Sequence, residues 1–584
     1  MFLIPLSWCI TFFILISLGG GLATLYTGIK DGVVNNDNDI FQLTWLGYAV
    51  LIAILQIYSI FLPINYYAFL VIACISLTSF LFSYRYIYRS FLAKLRSVDG
   101  NGVLALFGTL AIIFITAYHA AQPLQHYDTE LYHLNAVKWA SSYPAVPGIV
   151  NIHGRLAFNS SFHLFAALLS VGYWSNRTVY IANSFILLVA CIQWLVCLLS
   201  CPSSKVRLSY CFALVTSPFL ILSILRLDIS SLSTDLVTQV LILVFIYYVL
   251  DSLLIDDGIL SAAPDKQFDV IFMMFILLLS SVIVSSKLSG VIVFIFTVTL
   301  ITYTTLSSNK LISAHFIYII FPAVVVIVGL LARYAILSGW LIYPFPIGNL
   351  HLEWSASPSQ VQTELAWIRS WARMPGKMPS EVLGNGFYYW FSSWYKQFFS
   401  WNHMLQALLC SGVAGLLCLL LHGSTKQFRS NRAPLLHFSI MLTLAGLLFW
   451  FFTAPDLRFG EVFFWSFAGT SLAPVISTVI HKEVKGNFLA VTIVIFLSLQ
   501  KLQGGFPEIF PEKTPFLSLP QSKSRRVVPV RIDNGQSPPL VMFRPLNGDR
   551  CGNSPLPCAP YIGPESHIEL RTPGELRSGF RLRF

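Results

Sequence analysis

The chain has 584 residues, of which 56% are apolar, 15% aromatic and only 11% charged, and its mean hydropathy is +0.70. Soluble domains carry about 25% charged residues, so a soluble enzyme, a coiled coil and a disordered scaffold are excluded. The net charge of +11 comes without an aromatic-and-basic patch, so the partner it implies is a lipid bilayer and no nucleic acid.

Apolar runs near 20 residues recur from the first residue onward, the length that crosses a hydrocarbon core of about 30 Å. Met1 to Tyr26 has no basic leader and holds Gly19-Gly20-Gly21 inside the run, so it reads as a first membrane helix, not a cleaved signal. Spans are predicted at 3–26, 42–61, 65–84, 102–121, 178–200, 207–225, 233–250, 268–285, 289–306, 314–336, 402–421, 435–453, 461–480 and 487–503. The fold class is therefore an all-α polytopic membrane protein of about fourteen spans, with about twelve as the lower bound. Residues 1–503 form the transmembrane domain and 504–584 a small appendage.

Lys/Arg in short loops sets orientation. Arg85, Arg89, Lys94 and Arg96, then Lys205 and Arg207, Lys310, Lys426 with Arg429 and Arg432, and Lys482 with Lys485 fall on one side if the spans alternate. That side is predicted to be cytoplasmic. The large segments 122–177, 337–401 and the tail then face the exterior.

The first of these segments is the most informative. His126-Tyr127-Asp128-Thr129-Glu130-Leu131-Tyr132-His133 puts two carboxylates and two imidazoles beside the membrane surface, where ionisable groups are costly. A carboxylate there can take a proton from an acceptor hydroxyl, or bind a divalent cation beside a phosphate. The plainer alternative is that Asp128 or Thr129 caps a helix reaching about Ser141, with Glu130 in its first turn. The two readings are compatible, since a capped helix is a rigid mount. His153 and Arg155 follow, and the apolar stretch 156–173, carrying Asn159 and His163, suits a helix in the interface or a short re-entrant piece.

With these residues in view, the chain resembles the GT-C superfamily of membrane glycosyltransferases. Asp128-Thr129-Glu130 is similar to the acidic pair of their first long exterior loop, and 129–141 with 156–173 to its interfacial helices. The strings YDTELYHLNAVKW, VPGIVNIHGRLAFNSSF, FTAPDLRFG and DRCGNSPLPC more closely resemble an uncharacterised family of bacterial GT-C-like membrane proteins. Four spans precede the motif loop here, whereas one does in the usual plan. The resemblance implies a polyprenyl-phosphate sugar donor, a cell-envelope acceptor, inverting transfer and a bacterial inner-membrane location. It carries over only Asp128, as general base, and Glu130, as helper, metal ligand or helix charge.

Further along, Lys287, Arg333 and Arg458 stand at span ends on the same side and are candidates to bind a lipid-linked phosphate, with His126, His133, His153 and Arg155. The alternative is snorkelling for Lys287 and Arg333, and a local ion pair for Asp456 with Arg458. The aromatic loop 337–401 contains a predicted helix from Ser359 to Met374. In the tail, alternating runs such as Val527 to Ile532 predict a small β-rich unit, and Cys551 and Cys558 are predicted to form a disulfide in an oxidising exterior. A transporter or flippase of lipid-linked cargo, and a polysaccharide polymerase or ligase, are the competing functions. The sequence has no internal repeat and no predicted midplane charge to favour transport.

Overall fold

The computed structural model describes residues 2–29, 39–98, 101–200, 206–256, 259–262, 270–307, 314–422, 433–483, 519, 521–522, 524–532 and 535–583. Among them, twelve helices are long and apolar enough to cross a membrane. In chain order the helices of the first half are α1 (Leu3–Ile29), α2 (Ile40–Phe61), α3 (Tyr66–Ser97), α4 (Gly102–Ala120), α5 (Leu134–Ser142), α6 (Ser161–Leu169), α7 (Ala182–Leu199), α8 (Leu208–Leu225) and α9 (Thr234–Asp251). The second half adds α10 (Val270–Ser286), α11 (Val291–Ser307), α12 (Ala314–Ser338), α13 (Pro358–Arg373), α14 (Pro379–Gly384), α15 (Phe387–Trp401), α16 (His403–His422), α17 (Ala433–Thr453) and α18 (Leu457–Glu483).

Two predicted spans stand apart from the twelve. The one at 268–285 corresponds to α10, whose 17 described residues cover about 26 Å at 1.5 Å per residue, at the lower limit for a crossing. It is nevertheless mostly buried, packed between α9, α11 and α12. The span at 487–503 lies outside the described residues. The helix α3 also runs on past the predicted 84 to Ser97, so Arg85, Arg89, Lys94 and Arg96 ride on helix, where a loop was expected. No proline or glycine interrupts that stretch, so the helix has no reason to stop. At its far end Lys94 meets Asp39 at 3.2 Å, beside the start of α2.

The glycine run in α1 is a crossing point. A Cβ on Gly19 would stand 1.9 Å from the Leu43 carbonyl oxygen of α2, and one on Gly47 would stand 1.7 Å from that of Leu15. Gly20 and Gly21 meet Ile87, Ser83 and Ser79 of α3 in the same way. Small residues let helix backbones approach where lipid supplies no hydrophobic drive between them.

Three non-spanning segments gather at one end of the bundle. The first follows α4 and contains a π-helical turn at Thr129–His133, α5 and α6. Its α6 is buried on every side, packed on α2 and α5, so it is inserted into the protein instead of lying along an interface. The second follows α12 and holds the hairpin β4 (Trp340–Ile342) and β5 (Ile347–Asn349), then α13 to α15. Ser357 caps α13 by accepting from the Gln360 amide at 3.2 Å, with Pro358 at its first position.

The third is the tail. Its β6 (Val527–Ile532) pairs antiparallel with β7 (Leu540–Pro545), and β8 (Ile568–Leu570) pairs with β9 (Phe580–Leu582). These strands have no core of their own. Val530, Ile532, Leu540, Met542 and Phe580 join one apolar cluster with Trp139, Ile149, Val150, Trp340 and Tyr343 of the other two segments. The Phe580 amide also donates to the Pro147 carbonyl at 2.9 Å. Three stretches of chain distant in sequence thus make a single cap on the bundle.

The glycine crossing is testable. Gly47→Ala forces α1 and α2 apart and is expected to cost about 1–3 kcal/mol, the usual range for overpacking. Gly102→Ala, whose Cβ meets nothing within 4 Å, should change stability by less than about 0.5 kcal/mol. Thermal unfolding of both variants in detergent makes the comparison, and equal melting would contradict the close crossing.

Candidate functional site

The site begins with how the chain turns at Thr129. The His126 Nδ1 accepts from the Thr129 amide at 3.2 Å, so the imidazole satisfies the first free N–H of the helical run. Asp128 makes no capping bond. The turn is π-helical, with the Leu134 amide donating to the Thr129 carbonyl, a geometry that occurs mostly as single turns and is frequent at functional sites. Thr129 is the hub. Its hydroxyl lies 3.1 Å from His126 Nδ1 and 3.3 Å from His133 Nδ1, and accepts from the Leu232 amide at 3.2 Å.

The two carboxylates then part company. Asp128 is held by Arg155 at 3.3 Å, and Arg155 also reaches Glu364 of α13 at 3.6 Å. Glu130 is buried and points to the tail, where Arg525 and Arg550 both bond its Oε2, the latter at 2.8 Å. Its own carbonyl accepts from the Gly552 amide at 2.7 Å. Residues two apart on a helical turn do not face each other, which is why this acidic pair does not act as a pair.

Beyond Arg550, the tail's loop between Cys551 and Cys558 is closed by a disulfide of 2.08 Å. It docks on α5 through Asn135, which donates to the Cys558 carbonyl at 2.9 Å, and Lys138, which donates to the Ser554 carbonyl at 2.9 Å. His153 sits between Tyr132 and Tyr561 of the tail, its ring centroid 6.4 Å from each.

The histidines stand in file, with His133 and His163 buried and His126 half-buried. The rings of His126 and His133 lie 5.8 Å apart, and those of His133 and His163 lie 5.0 Å apart. Burial, with the neighbouring His163 and His126 rings, holds His133 well below the ordinary imidazole value. Burial also pushes His163 down to about 4. Both are therefore neutral at pH 7. The His163 Nε2 faces the Leu232 carbonyl at 3.3 Å.

Later helices bring a second set of charges to the same end. Arg226, just after α8, makes a two-pronged bond to Glu461 of α18 at 2.6 and 2.8 Å. Lys287, at the turn after α10, pairs with Asp235 of α9 and sits 3.6 Å from the Phe459 ring centroid. Arg458 pairs with Asp456 at 3.1 Å and lies in the field of Asp235 and Asp128. Asp228 is different: its side chain is 39% exposed, and among the described residues it pairs with His126 at 3.5 Å. Burial and the Asp235 charge raise its pKa, against the opposing pull of His126.

Of the residues the sequence singled out, His126, Asp128, His133 and Arg155 share one cluster, and Lys287 and Arg458 border it through Asp235. Arg333 joins from the other side. With Arg155, His163, Asn159, Ser160 and Ser59 it lines a cavity of about 40 Å³. Sequence reasoning missed Glu364 and the tail arginines, which carried no spacing signal. Asn159 and His163 had announced themselves as polar groups in an apolar stretch. Among the described residues, no group of three or more His, Cys, Asp or Glu is arranged to hold a metal ion.

Twelve crossing helices, with ionisable groups gathered under a cap at one end, define a multi-pass membrane protein with a polar site at the bundle end. The chain belongs to the family described as a domain of unknown function (DUF8201), whose profile matches residues 1–465. No curated protein and no solved structure matches the chain.

Two outcomes follow from these contacts. Glu130→Gln removes the charge that Arg525 and Arg550 share, so limited proteolysis should release the tail faster while the helical bundle stays intact; unchanged cleavage would contradict the latch. Histidines whose folded pKa lies below the unfolded value of about 6.5 stabilise the fold above that pH and lose this as pH falls toward 4. Melting temperature should therefore drop between pH 6.5 and 4, with a shallower slope in His163→Gln.

Proposed function

We propose that the chain is a GT-C-like membrane glycosyltransferase that moves a sugar from a polyprenyl-phosphate donor to a cell-envelope acceptor at the exterior face of the plasma membrane. The observation that carries this reading is Arg155. Its guanidinium holds Asp128 at 3.3 Å and also lines the cavity at the bundle end. A carboxylate thus stands one side chain from a cationic recess, close to where lipid headgroups would lie.

In this reaction the acceptor oxygen attacks the anomeric carbon, the carbon–oxygen bond to phosphate breaks, and the phosphate leaves on its lipid. The acceptor proton passes to Asp128 as general base. Arg155 and Glu364 fix where that carboxylate stands. The aromatic helix α15, with Tyr388 and Tyr395 exposed, suits the membrane interface beside the site. The exterior assignment rests on the opposite placement of the short Lys/Arg connections. Transport is the weaker reading. Among the described residues, Asp235, Arg333, Arg458, Glu461 and Asp251 lie within about two turns of a helix end, whereas Arg85 and Arg89 lie deeper within α3.

Purified protein incubated with polyprenyl-phosphate sugars, with products read by mass spectrometry, tests the reading. Asp128→Asn should fold normally, because Asp128 caps nothing, and should lower turnover by about 10²–10⁴-fold. A folded variant with unchanged turnover would remove Asp128 as base. Absence of any sugar transfer across the donor panel, with donor lipid still bound, would favour transport.

A further inference from the structure

Arg333 differs from six neighbouring cations at this end in what it bonds. Arg155, Arg226, Lys287, Arg458, Arg525 and Arg550 each have a carboxylate within 3.3 Å. Arg333 is only 7% exposed, and its partners are neutral: Nε donates to Asn159 Oδ1 at 2.8 Å and Nη1 to Ser59 Oγ at 2.5 Å. Among the described residues no carboxylate reaches it. A buried charge without a counter-charge is strongly disfavoured, so such an arginine is a natural place for an anion.

The surroundings hold the guanidinium in place and leave room beside it. Asn159, in the left-handed region at φ 54°, donates to the Leu330 carbonyl at 3.0 Å, and Ser59 donates to the Gln56 carbonyl at 2.9 Å. Ser160 is tied to the Ser286 carbonyl at 2.7 Å. The cavity these groups line with Arg155 and His163, about 40 Å³, would hold about three waters at roughly 10–15 Å³ each. That volume suits a small tetrahedral oxyanion and excludes a sugar ring. Arg333 lies five residues before the end of α12, about 7.5 Å along the axis at 1.5 Å per residue, a depth within reach of a lipid headgroup.

We infer that the Arg333 cavity is a binding site for a singly charged phosphate group, with Arg333 supplying the unmatched charge and Arg155 a second donor face. One uncompensated guanidinium balances one negative charge, which favours a phosphodiester-like monoanion. A guanidinium fork is the side chain best shaped for two phosphate oxygens. The site stands independently of sugar transfer, because the burial of Arg333 favours an anion there whether the bound lipid reacts or is moved. Only the choice of a prenyl lipid as probe rests on the transferase reading.

The test is equilibrium binding of farnesyl phosphate, farnesol and inorganic phosphate to the purified full chain in detergent at about pH 5, below the second phosphate pKa of about 6, where both phosphates carry mainly one negative charge. Farnesyl phosphate should bind at least tenfold more tightly than farnesol, and Arg333→Gln, which keeps a donor for Asn159, should abolish that preference. Competition by millimolar inorganic phosphate would assign the site to a soluble phosphate, and displacement by the phosphorylated lipid alone would assign it to a headgroup. Equal affinity of folded Arg333→Gln and wild type would overturn the site. So would a wild-type protein that does not distinguish farnesyl phosphate from farnesol, a result that needs no variant to fold. A positive binding result with no sugar transfer would overturn the transferase reading and leave the anion site standing.

Discussion

The end of this helical bundle is governed by the cost of leaving a charge in an apolar medium. An unpaired ion there costs several kcal/mol, so each one must find a partner, and the partner is usually far away in sequence. Arg226 with Glu461 ties the end of α8 to α18, and Lys287 with Asp235 ties the turn after α10 to α9. Arg155 with Glu364 ties the first cap segment to the second, and Glu130 with Arg525 and Arg550 ties it to the tail. Glu353 with Arg571 and Arg581 makes a further, exposed link between the second segment and the tail. The cap owes its single apolar cluster to these pairings as much as to its side chains, because the tail strands have little to bury alone.

The same rule marks out the groups left for chemistry. Most charges at the bundle end are consumed by a partner and are fixed in place. Among the described residues Asp228 pairs with a histidine, Asp128 shares Arg155 with Glu364, and Arg333 bonds neutral oxygens. These are the groups with capacity to spare for an incoming ligand. They are joined physically: His126 bonds Asp228 and the Thr129 hub, His133 stacks beside it, and His163 reaches the cavity wall. A site of this kind is rigid because the His133 and His163 imidazoles are sealed among packed rings, not because any one contact is strong.

Much of the architecture was legible in the sequence, for reasons that differ from element to element. Membrane spans are written as long apolar runs, and even the Gly19-Gly20-Gly21 interruption had a physical meaning, as the point where α1 meets α2 and α3. Strand β6 coincides with the alternating run from Val527 to Ile532, and α13 with the stretch from Ser359. The motif segment was found because ionisable groups beside a bilayer are rare. What the sequence could not show is direction. Asp128 and Glu130 look like a pair in one dimension, yet a helical turn sends one toward Arg155 and the other toward the tail. Glu364 sits in an ordinary amphipathic helix, and nothing local says that it faces Arg155. The cost that makes Arg333 unusual likewise arises only once its neighbours are known to be uncharged.

The central claim is that the charged end of the bundle handles a lipid-linked phosphate with Asp128 at the reacting centre. It is tested most directly by a cryo-EM structure of the protein bound to a non-reactive polyprenyl-phosphate sugar analogue. The account predicts phosphate density against the Arg333 and Arg155 guanidinium groups, the prenyl chain leaving toward the lipid-facing side of α12, and the sugar carbon facing Asp128. Phosphate density elsewhere on the protein, with the Arg333 cavity holding only water, would contradict it.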